Sequence, residues 1–135
     1  MKVHGGCHCG KLRYEAEVDP GKVGLCHCTD CQRLTGSAFS LFVPVPREAF
    51  HLIGEPKTYV KTAESGNRRA QAFCADCGSR IYASAPSEPT VFNLRVGTMD
   101  ERNLLAPKLQ VWCRSALPWI ANLGAVLRFE TQPAA

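Results

Sequence analysis

Cys26-His27-Cys28-Thr29-Asp30-Cys31 decides how this sequence is read, because it sets three thiols within six residues. Upstream stands Cys7-His8-Cys9-Gly10, downstream Cys74-Ala75-Asp76-Cys77-Gly78, and only Cys113 is solitary. Zinc binds thiolates tetrahedrally at about 2.3 Å, and a CxxC turn aims two sulfurs at one point while backbone amides hydrogen-bond them. Cysteines serving as small hydrophobes have no reason to fall at CxC and CxxC spacing. The glycines after Cys9 and Cys77 suit the positive φ that such a knuckle often needs. The clusters therefore read as metal sites, with zinc the expected ion.

Outward from the cysteines, the 135 residues are enough for one core and too few for two, burying roughly 67% of the unfolded surface. Residues 1–130 are expected to form a single domain, with 131–135 as a C-terminal tail. At 45% hydrophobic and 21% charged the composition is that of a globular protein, and no apolar run nears the ~18 residues of a membrane span. The start, Met1-Lys2-Val3-His4-Gly5-Gly6-Cys7, has no apolar stretch of the secretory kind, so a cytoplasmic protein is expected. Disulfides do not persist in that compartment, which again favours metal binding or catalysis for eight cysteines. The formal charge of +4 treats every cysteine as neutral; thiolates around two zinc ions would offset much of it. With no basic run longer than Arg68-Arg69, nucleic acid is not an expected partner.

Lys11 to Val18 alternates polar and apolar, with Leu12, Tyr14, Ala16 and Val18 on one face, the period of a half-buried strand. Further strand-like runs are 38–45, 57–61, 69–73, 80–84, 91–96, 109–114 and 125–130, most of them short and bounded by Gly or Pro. Helical signals are confined to a turn after Cys31, another at 46–50, and Asp100 to Leu105, where Asp100 is placed to cap the first turn. The fold class is mainly β with two or three short helices.

Spacing alone leaves two partitions of the sulfurs open. Cys28/Cys31 with Cys74/Cys77 would make one ribbon-like site. Cys7/Cys9 with Cys74/Cys77 would instead fill one four-sulfur site and leave Cys26, Cys28 and Cys31 as a three-sulfur site. The second has chemical content, since a closed four-ligand site is structural whereas three protein ligands leave a position for water or substrate.

The ordered strings Gly6-Cys7-His8-Cys9-Gly10, Cys26-His27-Cys28-Thr29-Asp30-Cys31-Gln32-Arg33-Leu34-Thr35-Gly36 and Phe73-Cys74-Ala75-Asp76-Cys77-Gly78-Ser79 resemble the glutathione-dependent formaldehyde-activating enzyme (Gfa) family, which includes centromere protein V-like proteins. Leu117-Pro118-Trp119 resembles the family's closing Pro-Trp. The resemblance implies a β-tent zinc fold of two small antiparallel sheets. It implies two Zn²⁺ per chain: a structural ion on Cys7, Cys9, Cys74 and Cys77, and a catalytic one on Cys26, Cys28 and Cys31. It also implies a carbon–sulfur lyase, an S-(hydroxymethyl)glutathione synthase that condenses glutathione with formaldehyde or a related small electrophile. The sequence departs from the family at Leu109-Gln110-Val111, where members often carry His.

Glutathione carries two carboxylates, so basic residues near an open site should matter. Arg33, two residues past Cys31, is the first candidate for substrate binding, with Arg69 and Arg80 behind it. His27 and His8 alternate with ligand sulfurs and should turn away from the metal. Ser37 and Ser40 are within reach of substrate by position; Phe39 and Trp119 are expected to serve in packing, and the family resemblance implies that both lie near the site. Cys113 lies in the apolar run Val111-Trp112-Cys113 and reads as core. A competing reading is a zinc-stabilised binding module without catalysis, and edge strands would allow a homodimer.

Overall fold

β1 (Lys2–Gly6) and β2 (Arg13–Glu17) bury every second residue, Val3 and Gly5 on one and Tyr14 and Ala16 on the other, and they pair antiparallel. These are elements of a computed structural model that describes residues 1–134; Ala135, the last residue of the expected tail, lies outside the described residues. The strands that follow are β3 (Gly24–Cys26), β4 (Ser40–Pro46), β5 (Phe50–Ile53), β6 (Lys57–Thr62), β7 (Arg68–Phe73), β8 (Arg80–Ser84), β9 (Val91–Arg95) and β10 (Leu109–Val111). Among the described residues one α-helix, α1 (Thr29–Thr35), is inserted between β3 and β4. The chain is mainly β in two sheets, one of order β1-β2-β5 and one of order β10-β3-β4-β9-β8-β7-β6. Every pairing is antiparallel except β10 against β3, which is parallel.

The core lies between the sheets. Val3, Leu12, Tyr14 and Val18 meet Val43, Val45, Ile81, Leu94 and Val96 in one cluster, closed below by Met99 and Leu105. Phe50 joins the sheets through aromatic contacts: its ring centroid is 5.6 Å from Tyr14 on the small sheet, and 5.6 Å from Tyr82 and 5.0 Å from Phe92 on the large one. Edge-to-face rings at this spacing add electrostatic attraction to the area they bury.

The expected strand runs hold strands with one exception. Residues 125–130 begin at the end of a 3₁₀ stretch, Ile120–Ala125, and form no strand, and residues 121–134 are exposed throughout. The domain boundary placed at residue 130 falls within this exposed segment. β3 and β5 escaped the pattern reading because each is short, and β1 because it ends in two glycines, which add no side chain to the alternation. The helical turn expected after Cys31 begins earlier, at Thr29, because Cys28 caps it. The stretches near 46–50 and 100–105 are 3₁₀ turns, Arg47–Ala49 and Arg102–Leu104, and Asp100 caps neither. Cys113, expected in the core, is exposed: the chain leaves the sheet after Val111, and Trp112 adopts a left-handed φ of 57°.

Candidate metal centres

Two knuckles meet at the first site. β1 delivers Cys7, and the chain reverses through Cys9 and Gly10, whose φ of 84° needs a residue without a Cβ. The Cys7 amide donates to the Leu12 carbonyl at 3.0 Å, while the Leu12 amide donates to Cys7 Sγ at 3.2 Å. β7 delivers Cys74 into a similar reversal. There the Cys74 amide donates to the Ser79 carbonyl, the Gly78 amide donates to the Cys74 carbonyl, each at 2.9 Å, and Gly78 has φ 78°. Two bonds stitch the knuckles together, the His8 amide to Ser79 Oγ at 3.0 Å and Lys11 Nζ to Asp76 at 2.6 Å.

These reversals bring the sulfurs of Cys7, Cys9, Cys74 and Cys77 within 4.8 Å of one another, with Cys7–Cys9 at 3.6 Å and Cys9–Cys74 at 3.7 Å. A tetrahedral zinc with sulfurs at 2.3 Å separates those sulfurs by about 3.8 Å. The donor set and its spacing therefore fit that ion. Cys77 is drawn down to about 5, first by the Ser79 hydroxyl and then by the Ser79 amide, so the cluster holds a ready thiolate. Cys7 and Cys74 are buried and Cys9 and Cys77 lie at the surface.

The second site forms where β3 runs into α1. Cys26 ends the strand and Cys28 is the N-cap of the helix, its sulfur accepting the Cys31 amide at 3.2 Å. Cys31 lies in the first turn, and the three sulfurs are within 4.8 Å of one another. Ser40, the first residue of β4, donates its hydroxyl to Cys31 Sγ at 3.2 Å. Cys31 is drawn down to about 5, chiefly by the hydrogen bond from Cys26, with desolvation opposing and Ser40 assisting. Cys26 is pushed up, first by that same bond. Crowding thus pulls one sulfur toward the thiolate at the expense of its neighbours, and a divalent cation would displace the protons that remain. Soft sulfur donors at this spacing suit zinc here as well.

No fourth protein ligand joins this cluster among the described residues. His27 is buried and turned away, its Nε2 2.7 Å from Gln110 Oε1 and its ring edge-on to Phe39 at 5.9 Å. His8 is exposed, and the exposed Cys113 belongs to neither sulfur group. Instead the three sulfurs open onto a cavity of about 360 Å³. Its floor is one face of the large sheet. Gln71, Ala83 and Asn93 lie side by side on β7, β8 and β9, with Arg69 and Arg95 one step along the same face, and Trp112 forms part of the rim.

Arg33 is exposed and outside this cavity: two residues on from Cys31 is about 200° around a helix, which carries it to the far side. Ser37, too, lies outside it, whereas Ser40 is part of its wall. Ser37, Phe39 and Trp119 line a separate shallow groove beside α1. Arg80 reaches in from behind the wall, donating to the Leu34 carbonyl at 3.2 Å and to Gln71 Oε1 at 2.8 Å. Arg95 and Gln71 were missed from sequence. The usable signal was polar residues at i and i+2 in otherwise apolar strands, Arg69/Gln71 and Asn93/Arg95, which share a face.

The fold has a counterpart in the crystal structure of a Rhodobacter sphaeroides protein, a structural-genomics target, at a TM-score of 0.60 and 19% identity, covering 82% of this chain and 100% of that one. A family model described as glutathione-dependent formaldehyde-activating enzyme matches residues 2–115, a span that takes in both sulfur clusters and every strand of both sheets. The order of the cysteine knuckles along the chain and the sheets that deliver them are thus accounted for together: the chain belongs to the glutathione-dependent formaldehyde-activating enzyme family.

Proposed function

We propose that this chain is a zinc-dependent enzyme that joins a small thiol of the glutathione type to formaldehyde or a related small aldehyde, and in reverse acts as a carbon–sulfur lyase. In this reading Cys7, Cys9, Cys74 and Cys77 hold a structural zinc, while Cys26, Cys28 and Cys31 hold the catalytic one. The observation that carries it is the contrast between the clusters: four sulfurs close one, whereas three sulfurs in the other open onto a cavity. A purely structural site has no need of that opening.

Zinc on three thiolates supplies an open position for a further sulfur and keeps that sulfur deprotonated near neutral pH. Three thiolates leave the loaded site at about −1, which favours a soft sulfur ligand over activation of water. The chain's own residues do the rest. Ser40 and the Cys31 amide hold Cys31 and Cys28 in place by hydrogen bonds to their sulfurs. The cavity walls confine the thiol and the aldehyde together, which replaces a bimolecular encounter by a local one. The balance is simple: the thiol sulfur bonds to the carbonyl carbon, the C=O π bond opens, and the thiol's proton ends on the oxygen as a hydroxymethyl group.

Native mass spectrometry of the purified chain, with and without millimolar glutathione, tests this reading. Two zinc ions plus a glutathione adduct that Cys31→Ser abolishes would support it. Two zinc ions without an adduct would leave a zinc-stabilised binding module or a different thiol as the alternatives.

A further inference from the structure

We infer that Arg69 and Arg95, with Arg80 behind them, form an anion subsite on the floor of the cavity, so that the substrate is a thiol carrying a carboxylate. The thiol half of this statement rests on the function proposed above; the anion half does not.

The three guanidiniums lack the partners that buried cations usually have. Among the described residues no carboxylate lies within 4.0 Å of any of them. Arg80 and Arg95 instead converge on one neutral acceptor, Gln71 Oε1, at 2.8 and 3.3 Å. The Nε of each is buried and has no hydrogen-bond partner. Burial works against the charge on all three, a cost that is retained where something repays it.

The cavity's own anions do not repay it. Asp30 is paired with Lys61 at 2.8 Å and Glu64 with Arg114 at 2.5 Å. What remains is the thiolate cluster, whose Cys31 acts electrostatically on both Arg80 and Arg95. With zinc bound that cluster carries about −1, so three cations face one negative charge and positive charge is left over. A guanidinium fork matches a carboxylate bidentately, and such charge-assisted bonds are the strong ones. Arg69 and Arg95 share one 360 Å³ cavity with the three sulfurs, so one small molecule can place its sulfur at the cluster and its carboxylate on the sheet.

Isothermal titration of the zinc-loaded protein with three probes tests this: glutathione, its diethyl ester, and S-methylglutathione. The ester keeps the thiol and masks both carboxylates, whereas the methylated form keeps the carboxylates and blocks the thiol. Glutathione is expected to bind at least about tenfold more tightly than the ester, the scale of one good charged hydrogen bond. Gln71→Glu places a carboxylate between Arg80 and Arg95; it should erase that preference while raising Tm, and Arg69→Gln should narrow it with both zinc ions retained. Equal binding of glutathione and ester to the wild type, or a preference unchanged in both variants, would overturn the subsite. If S-methylglutathione matches glutathione and loses affinity in Gln71→Glu, the subsite stands and the thiol reading falls. If glutathione and ester bind alike and S-methylglutathione does not, the reverse holds. Failure of all three to bind counts against both.

Discussion

Cys28 serves two functions with one atom, since its sulfur both caps α1 through the Cys31 amide and faces the three-sulfur cluster. Cys31 has no such local structural duty, and α1 buries none of its residues fully. Cys31→Ser is therefore expected to lose one zinc and keep the fold. Cys77 closes the reversal that locks β7 to the loop after β1, so Cys77→Ser is expected to lose the other zinc together with the fold, because structural zinc contributes directly to folding. Zinc quantitation beside thermal circular dichroism of the two variants decides this. A cooperative melt retained in Cys77→Ser, or lost in Cys31→Ser, would reverse the roles assigned to the clusters. At this scale the seven clustered cysteines were legible, because CxC and CxxC spacing is a local property of the chain. Arg95 and Gln71 were not, because their meeting depends on β8 lying between β7 and β9. Arg33 looked close to Cys31 along the chain and is turned away by the helix that holds them both.

β8 has its functional effect through what it lacks. Ala83 lies between Gln71 and Asn93 in register, and its methyl leaves the space that its larger neighbours frame. Ala83→Leu should fill that space. The expected result is a folded, two-zinc protein with a destabilisation of roughly 1–3 kcal/mol from overpacking, in which thiol binding measured by titration drops below detection. Undiminished binding would mean that the occupied part of the cavity lies elsewhere. The strands expected from sequence had enough length for alternation to show, as in 13–17 and 80–84. β3, at three residues, is too short to show a period and is held by partners on both sides, β4 and β10. Residues 125–130 show the opposite failure: a pattern with strand-like spacing is no strand where it pairs with neither sheet.

Across the whole molecule, the two sheets bring the clusters to opposite structural roles. One cluster ties β1 to β7 and so spans both sheets, whereas the other hangs from β3 and α1 over the large sheet alone. The junction between the sheets must hold for either to keep its geometry, and Phe50 is its centre, touching Tyr14 on one side and Tyr82 and Phe92 on the other. Phe50→Ala should therefore cost about 2–4 kcal/mol, near the lower end for a buried Phe because its ring is only partly covered. That corresponds to roughly a 10 °C fall in Tm for a chain of this size. Phe129 is the control, with 56% of its surface exposed in the segment beyond Ile120. Phe129→Ala should move stability by less than about 0.5 kcal/mol, as surface changes do. Urea or thermal unfolding of both variants, loaded with zinc, measures the difference. If the two phenylalanines cost the same, the segment after Ile120 must pack against the body of the protein, and the inter-sheet aromatic cluster is not what holds the two sheets together.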